Sequence, residues 1–143
     1  MSSFSSILNT PADSVTEPKE IPVGTWRFVV KNVKKIDPRD EDTPGAILFV
    51  MEPVEPGPDV DESELADFEM EGYPVFHRQR IRDRRDAFRL RKFLEALGVE
   101  LDGRTLEAAA ESAVGYEVMA YVEHNPGRDG DTIFVNLTDF ASV

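Results

Sequence analysis

The chain has 143 residues, no cysteine and a formal net charge of −12, with 41% hydrophobic and 31% charged residues. That length suits one domain with a proper core, near 110 residues plus tails by rough estimate, and the absence of cysteine excludes both a disulfide framework and a thiolate metal site. The net charge argues against histone-like coating of duplex DNA, but nucleic acid stays open wherever cations are concentrated locally.

Residues 1–20 carry Ser, Pro and Glu with few large apolar side chains and read as a flexible N-terminal tail, which Phe4, Ile7 and Leu8 would dock. The opening lacks the basic stretch and apolar run of a secretory signal, and no window reaches the length of a membrane span. A cytoplasmic protein with no membrane partner is expected. Pro22 and Gly24 lead into a first strand, residues 25–36, with Trp26, Phe28 and Val30 on one face and Arg27, Val29 and Lys31 on the other. Trp26 is assigned to the core by the company it keeps on that face. Residues 37–45 form a loop by their Asp, Pro and Gly content, with Lys34, Lys35 and Arg39 at its entrance. The apolar run 46–51 is a well-covered second strand.

Residues 52–71 follow as an insertion holding nine acids and no base, broken by Pro53, Pro56, Gly57 and Pro58, with a short helix over 63–70. The block is either a solubilising loop or one that lies beside the basic strand and mimics a nucleic-acid backbone. The third strand, residues 73–82, begins the stretch around which the chain is organised. Residues 78–92 hold eight bases against Asp83 and Asp86, a local charge of +6 that leaves −18 on the remainder. Period-two reading places Phe76, Arg78, Arg80 and Arg82 on one face and Val75, His77, Gln79 and Ile81 on the other. One aromatic ring and three guanidinium groups suit a polyphosphate with stacked bases, because Arg pairs with phosphate and every base has a π-face. The competing expectation is a solvated face whose arginines pair with nearby carboxylates.

Asp83 is placed to cap a helix over 84–97 and Gly98 to stop it. Ala87, Leu90, Phe93, Leu94 and Leu97 make its apolar stripe, while Arg85, Arg89 and Lys92, with Phe88 beside them, would extend the arginine face. After the Asp102-Gly103 turn, Thr105 caps a short helix through Ala113 and Gly115 ends it. A fourth strand over 116–123, a hairpin loop over 124–131 and a fifth strand over 132–140 complete the chain. Residues 21–143 thus read as a single mainly β domain: a five-stranded OB-like Greek-key barrel with helices between strands three and four. The ligand surface of such barrels is the face of strands two and three with the flanking loops. Those places hold Arg78, Arg80 and Arg82; Lys34, Lys35 and Arg39; and His124, Asn125 and Arg128.

The chain also resembles a group of small phage-encoded proteins, free in phage genomes or in prophages, regarded as OB-fold single-stranded DNA-binding proteins. The likeness rests on the opening SSILNTPADSVTEPKEIPVGTW, on RLRKFLEALGVELDGRTLEAA and on the closing GYEVMAYVEHNPGRDGDTIFVNLTDF, and it spans most of the chain. It implies binding of single-stranded DNA in the bacterial host cell during phage DNA replication or recombination. The ending TDFASV departs from the acidic, hydrophobic-tipped tail through which many such proteins recruit partners, so recruitment by that route is not expected.

Enzymatic readings have less support. His77 reads as a packed, satisfied imidazole and His124 as a turn residue; no HExxH, nucleotide-binding Gly-rich loop or EF-hand loop occurs. A carboxylate-metal nuclease has acids to draw on, but they sit in a Pro-broken loop without a Lys at suitable spacing on a neighbouring strand. The expectation is a non-catalytic single-strand binder with weak sequence preference and no cofactor. Arg78, Arg80, Arg82, Lys34, Lys35, Arg39, Arg89 and Arg128 would hold phosphates, and Phe76 and Phe88 would stack on bases. Further copies of the chain and replication or recombination proteins are candidate partners. The alternative is a phage virion, assembly or protein-interaction module that uses the acidic surface.

Overall fold

The computed structural model describes residues 4–14, 19–130 and 133–143. Its elements in chain order are a short helix α1 (Phe4–Leu8), strands β1 (Gly24–Ile36) and β2 (Ala46–Pro56), a helical turn α2 (Glu62–Leu65), strand β3 (Val75–Arg80), helices α3 (Arg84–Leu97) and α4 (Leu106–Glu111), and strands β4 (Glu117–Pro126) and β5 (Ile133–Ala141). The strands form one antiparallel sheet in the order β3-β2-β1-β4-β5. Its two edges meet across a seam, where the His77 and Phe140 rings stand 4.7 Å apart. This is the strand order of the expected OB-like barrel, opened between β3 and β5, with α3 and α4 between the third and fourth strands.

Alternation explains the interior. Trp26, Phe28 and Val30 of β1, Phe49 and Met51 of β2, and Val118, Ala120 and Val122 of β4 are all fully buried, each large apolar side chain contributing roughly 1.5–3 kcal/mol relative to exposure. Trp26 is core as expected, and its one polar atom is satisfied: Nε1 donates to the Pro22 carbonyl at 2.9 Å. From α3, Leu90, Phe93, Leu94 and Leu97 close the core, with Ala87 half-buried beside them. Asp83 caps this helix, accepting from Asp86 N at 3.0 Å. Gly98 ends it at φ 88°, a left-handed conformation that favours glycine. Thr105 caps α4 through Ala108 N at 3.1 Å.

Three expectations change. A β-bulge between Val30 and Asn32 makes Lys31 an extra residue in β1 and flips the alternation beyond it, so Val33 opposes buried Phe49 while Lys34 opposes Leu48. Second, β2 continues through Pro56, which takes Glu52 and Glu55 out of the expected loop and into register with Val29 and Arg27. Third, the remainder of the acidic block is a packed cover. Asp59 accepts from Thr25 N at 3.0 Å and from Thr25 Oγ1 at 2.9 Å. Val60 is buried, and Phe68 packs edge-on against Trp26 at 5.7 Å and Tyr73 at 5.0 Å. This cover lies at the Trp26 end of β1, whereas Arg80 aligns through Ala46 with Ile36 at the other end. The acids of this cover therefore do not stand beside the arginines.

At the chain entrance, Ile21 is fully buried, and His124 Nε2–H donates to its carbonyl. His124 thus sits at the end of β4 and pins the entry segment rather than fixing a hairpin turn. Tyr73 accepts from Ile21 N at 3.3 Å and donates to Glu20 at 2.6 Å; burial, with Glu20 adding to it, pushes the Tyr73 phenol up to about 12. Lys19 pairs with Asp67 at 3.0 Å, so the last residues of the expected tail are tied to the barrel. Phe4 and Leu8 are exposed rather than docked. The Ile7 side chain, tail residues 15–18, and Asp131 and Thr132, read as the last loop residue and the first residue of the fifth strand, lie outside the described residues.

Candidate nucleic-acid interface

Cross-strand register builds the outer face in rows. Phe76 opposes Val50, which opposes Asn32; Arg78 opposes Leu48, which opposes Lys34; Arg80 opposes Ala46, which opposes Ile36. Directly opposed residues share a face of an antiparallel pair. Phe76 (56% exposed), Arg78, Arg80 and Lys34 therefore stand together on one surface with an apolar middle strand. Only the bulge at Lys31 puts Lys34 there.

The loop between β1 and β2 completes the surface. Asp40 Oδ1 accepts from Asp42 N at 2.9 Å and Thr43 N at 2.8 Å, and Arg39 N donates to the Thr43 carbonyl at 3.3 Å. This turn brings Arg39 into a cleft of about 380 Å³ lined also by Ile36, Asp37, Asp42, Thr43, Pro44, Arg78 and Arg80. Among the described residues, none of Lys34, Arg39, Arg78 and Arg80 forms an ion pair within 4.0 Å. Two acids line the cleft, yet neither neutralises a guanidinium by direct contact.

The other candidates do not reach this cleft. β3 ends at Arg80, and Arg82 turns to Asp86, with Nε at 2.8 Å, Nη2 at 3.3 Å and its backbone N–H at 3.0 Å. Arg89 Nη1 reaches the same carboxylate at 3.3 Å. Asp86 is 1% exposed, and the hydrogen bonds from the Arg82 side chain and backbone, helped by the Arg89 charge, hold its carboxyl at about 2. The i, i+4 spacing of Arg82 to Asp86, across the helix cap, and the i, i+3 spacing of Asp86 to Arg89 within α3 carried that signal in the sequence. Lys35, on the other side of the bulged strand from Lys34, pairs with Glu107 of α4 at 3.1 Å, which raises its pKa. Asn125 and Arg128 lie beyond the Gly24 end of β1, where β4 sets Val122 opposite Gly24. They do not join the arginine cleft.

Helix α3 does not extend the arginine face either. Phe88, Arg89 and Lys92 border a separate groove of about 340 Å³ whose other walls are His77, Gln79, Phe93 and Phe140, the β3 residues being those of opposite alternation. His77 is packed as expected, with ring centroids 4.6 Å from Phe93 and 4.7 Å from Phe140, and burial pushes its pKa down to about 4. It is not satisfied, however: buried Nε2 has no hydrogen-bond partner.

Two exposed residues escaped the sequence reading. Ile133 (49% exposed) and Phe134 (56%) border a third hollow of about 230 Å³ with Glu20, Tyr73, Pro74, Val75, Phe76 and Val135. Their signal was the apolar triplet Ile133-Phe134-Val135, since a strand cannot turn three consecutive side chains inward.

The chain matches no known family model, and no curated protein matches it in sequence. Among the described residues no three His, Asp or Glu side chains gather in a metal-binding group, and no helix is long and apolar enough to cross a membrane.

Proposed function

We propose that the protein binds single-stranded DNA without catalysis, on the outer face of β2 and β3 and the loop that follows β1. The observation that carries this reading is the cleft shared by Arg39, Arg78 and Arg80, cations from distant parts of an acidic chain that meet without ion-pairing to an acid. Exposed Phe76, one row along the same strand, offers a π-face for stacking. Arginine grips phosphate through paired donors, and base–aromatic stacking contributes about 1–3 kcal/mol per base with little sequence preference. Exposed aromatics gain little from paired, stacked bases, so single strands are preferred to duplex. The resemblance set out above gives this activity its setting, phage DNA replication or recombination in the host cytoplasm.

The test is a fluorescence titration of a single strand about thirty nucleotides long, enough for one or more OB-type sites, at two salt concentrations. Wild type is compared with Arg39→Ala/Arg78→Ala/Arg80→Ala, alongside a matched duplex and a Mg²⁺ cleavage control. Binding should weaken with salt at a log–log slope of about −0.7 per phosphate contact, near −3 if Lys34 and the three arginines each hold one. The variant should bind at least tenfold more weakly at low salt, with no cleavage. A second reading, a virion or assembly module that binds protein, is favoured by exposed Phe76, Ile133 and Phe134 around one hollow. Failure to bind any strand at low salt would select it.

A further inference from the structure

Resting on the single-strand reading, we propose that the groove between β3, α3 and β5 takes one unstacked base of the bound strand, with the adjoining phosphate held at its rim by Lys92 and Arg89. Its walls are aromatic: Phe88, 54% exposed, with the Phe93, Phe140 and His77 rings behind it. His77 adds part of its ring to the lining, its Nε2 being buried away from the groove surface. Gln79 donates its amide N–H to the Arg80 carbonyl at 3.0 Å and keeps Oε1 as an acceptor, the group an imino or amino edge of a base requires. Lys92 Nζ stands 5.3 Å from the Phe88 ring centroid, which joins a cation to the stacking surface.

The occupant follows from charge and continuity. The rim is cationic in a chain whose net charge is −12. Lys92 meets Glu95 only at 3.4 Å and in the open, and Arg89 keeps donors beyond the single contact to Asp86, so both remain available to a phosphate. β3 is an edge strand, with Arg78 and Arg80 on one face and His77 and Gln79 on the other. A chain gripped by the arginines on the outer face needs only to fold over that edge for a neighbouring base to enter the groove.

The experiment titrates an oligothymidylate about twelve nucleotides long, within the span of one OB site, and the same strand with a single abasic position moved along it. Wild type, Phe88→Ala and Lys92→Ala are compared, and sedimentation of each protein without DNA reports its assembly. The expected result is binding weakened roughly tenfold by Phe88→Ala, as loss of a stacked base predicts, and by one abasic position in wild type but not in Phe88→Ala. Lys92→Ala should flatten the salt slope. Wild-type binding that neither Phe88→Ala nor any abasic position alters would overturn the groove and leave the arginine face standing. A change in sedimentation with Phe88→Ala would overturn it differently, by making the groove a contact between copies of the chain. If wild type binds no strand, both readings fall together.

Discussion

His77 sits with its imidazole against Phe93 and Phe140 and an unpartnered Nε2, so charging it costs the desolvation of a buried cation. Its pKa, pushed down to about 4 by burial, lies below the ordinary value near 6.5. Between those values the unfolded chain binds the proton and the folded chain does not, so stability rises with pH across that window. The contribution is complete above about pH 6.5 and is lost as pH falls toward 4, a change of about 3 kcal/mol at 1.36 kcal/mol per unit. Urea unfolding should therefore show wild type losing stability relative to His77→Leu as pH drops from 7 to 4. A constant difference between the two proteins would refute the burial argument. At this scale the sequence was legible where alternation decides: Trp26 inward, Phe76 outward. It misled at Arg82, which alternation assigned to the arginine face. The strand stops two residues earlier, and a buried carboxylate one turn into the helix, Asp86, captures the side chain.

The elements themselves were readable because their punctuation is chemical and local. Asp83, Gly98 and Thr105 cap where their side chains or conformational freedom demanded. The bulge at Lys31 was not readable, since no residue type near it announces an extra residue and only pairing with β2 reveals it. The cover over the barrel end was hidden for the same reason: its composition is acidic and Pro-broken, but Val60, Leu65, Phe68 and Met70 pack on the core. Gly24 is the hinge of that packing. It adopts φ 140°, and a Cβ there would stand 2.6 Å from Val60 Cγ2 and 3.2 Å from Val60 Cα. Gly24→Ala should cost about 1–3 kcal/mol, the range for overpacking a filled site, read as a lower urea midpoint. Adding Val60→Ala should recover part of that loss, because it removes the nearer contact but neither the backbone contact nor the strain of a side chain at φ 140°. Strict additivity in this double-mutant cycle would show that the two residues do not meet.

For the molecule as a whole, the strand–strand–strand–helix–strand–strand order was enough to give the barrel, but not that its acidic β2–β3 connection packs as a cover. Antiparallel pairing sends β2 back along β1, so the β2–β3 connection that forms the acidic cover and the β1–β2 loop at the arginine cleft lie at opposite ends of β1. Trp26 and Ile36 are separated by roughly 30 Å of extended strand at about 3.3 Å per residue. Salt screens charges over about 8 Å under physiological conditions and about 30 Å at 0.01 M. Exposed Glu62, Glu64, Glu69 and Glu71 should consequently repel a bound strand only when salt is scarce. Replacing those four with Gln should leave the affinity for single-stranded DNA within about twofold at physiological salt and tighten it several-fold near 0.01 M. Fluorescence titrations of the two proteins at both salt concentrations measure this directly. An equal gain at both would mean that the acids touch the strand or its arginines, and that the cover moves to reach them. Affinity that tracks salt in the expected way would instead show that an acidic protein binds a polyanion by keeping its charges apart.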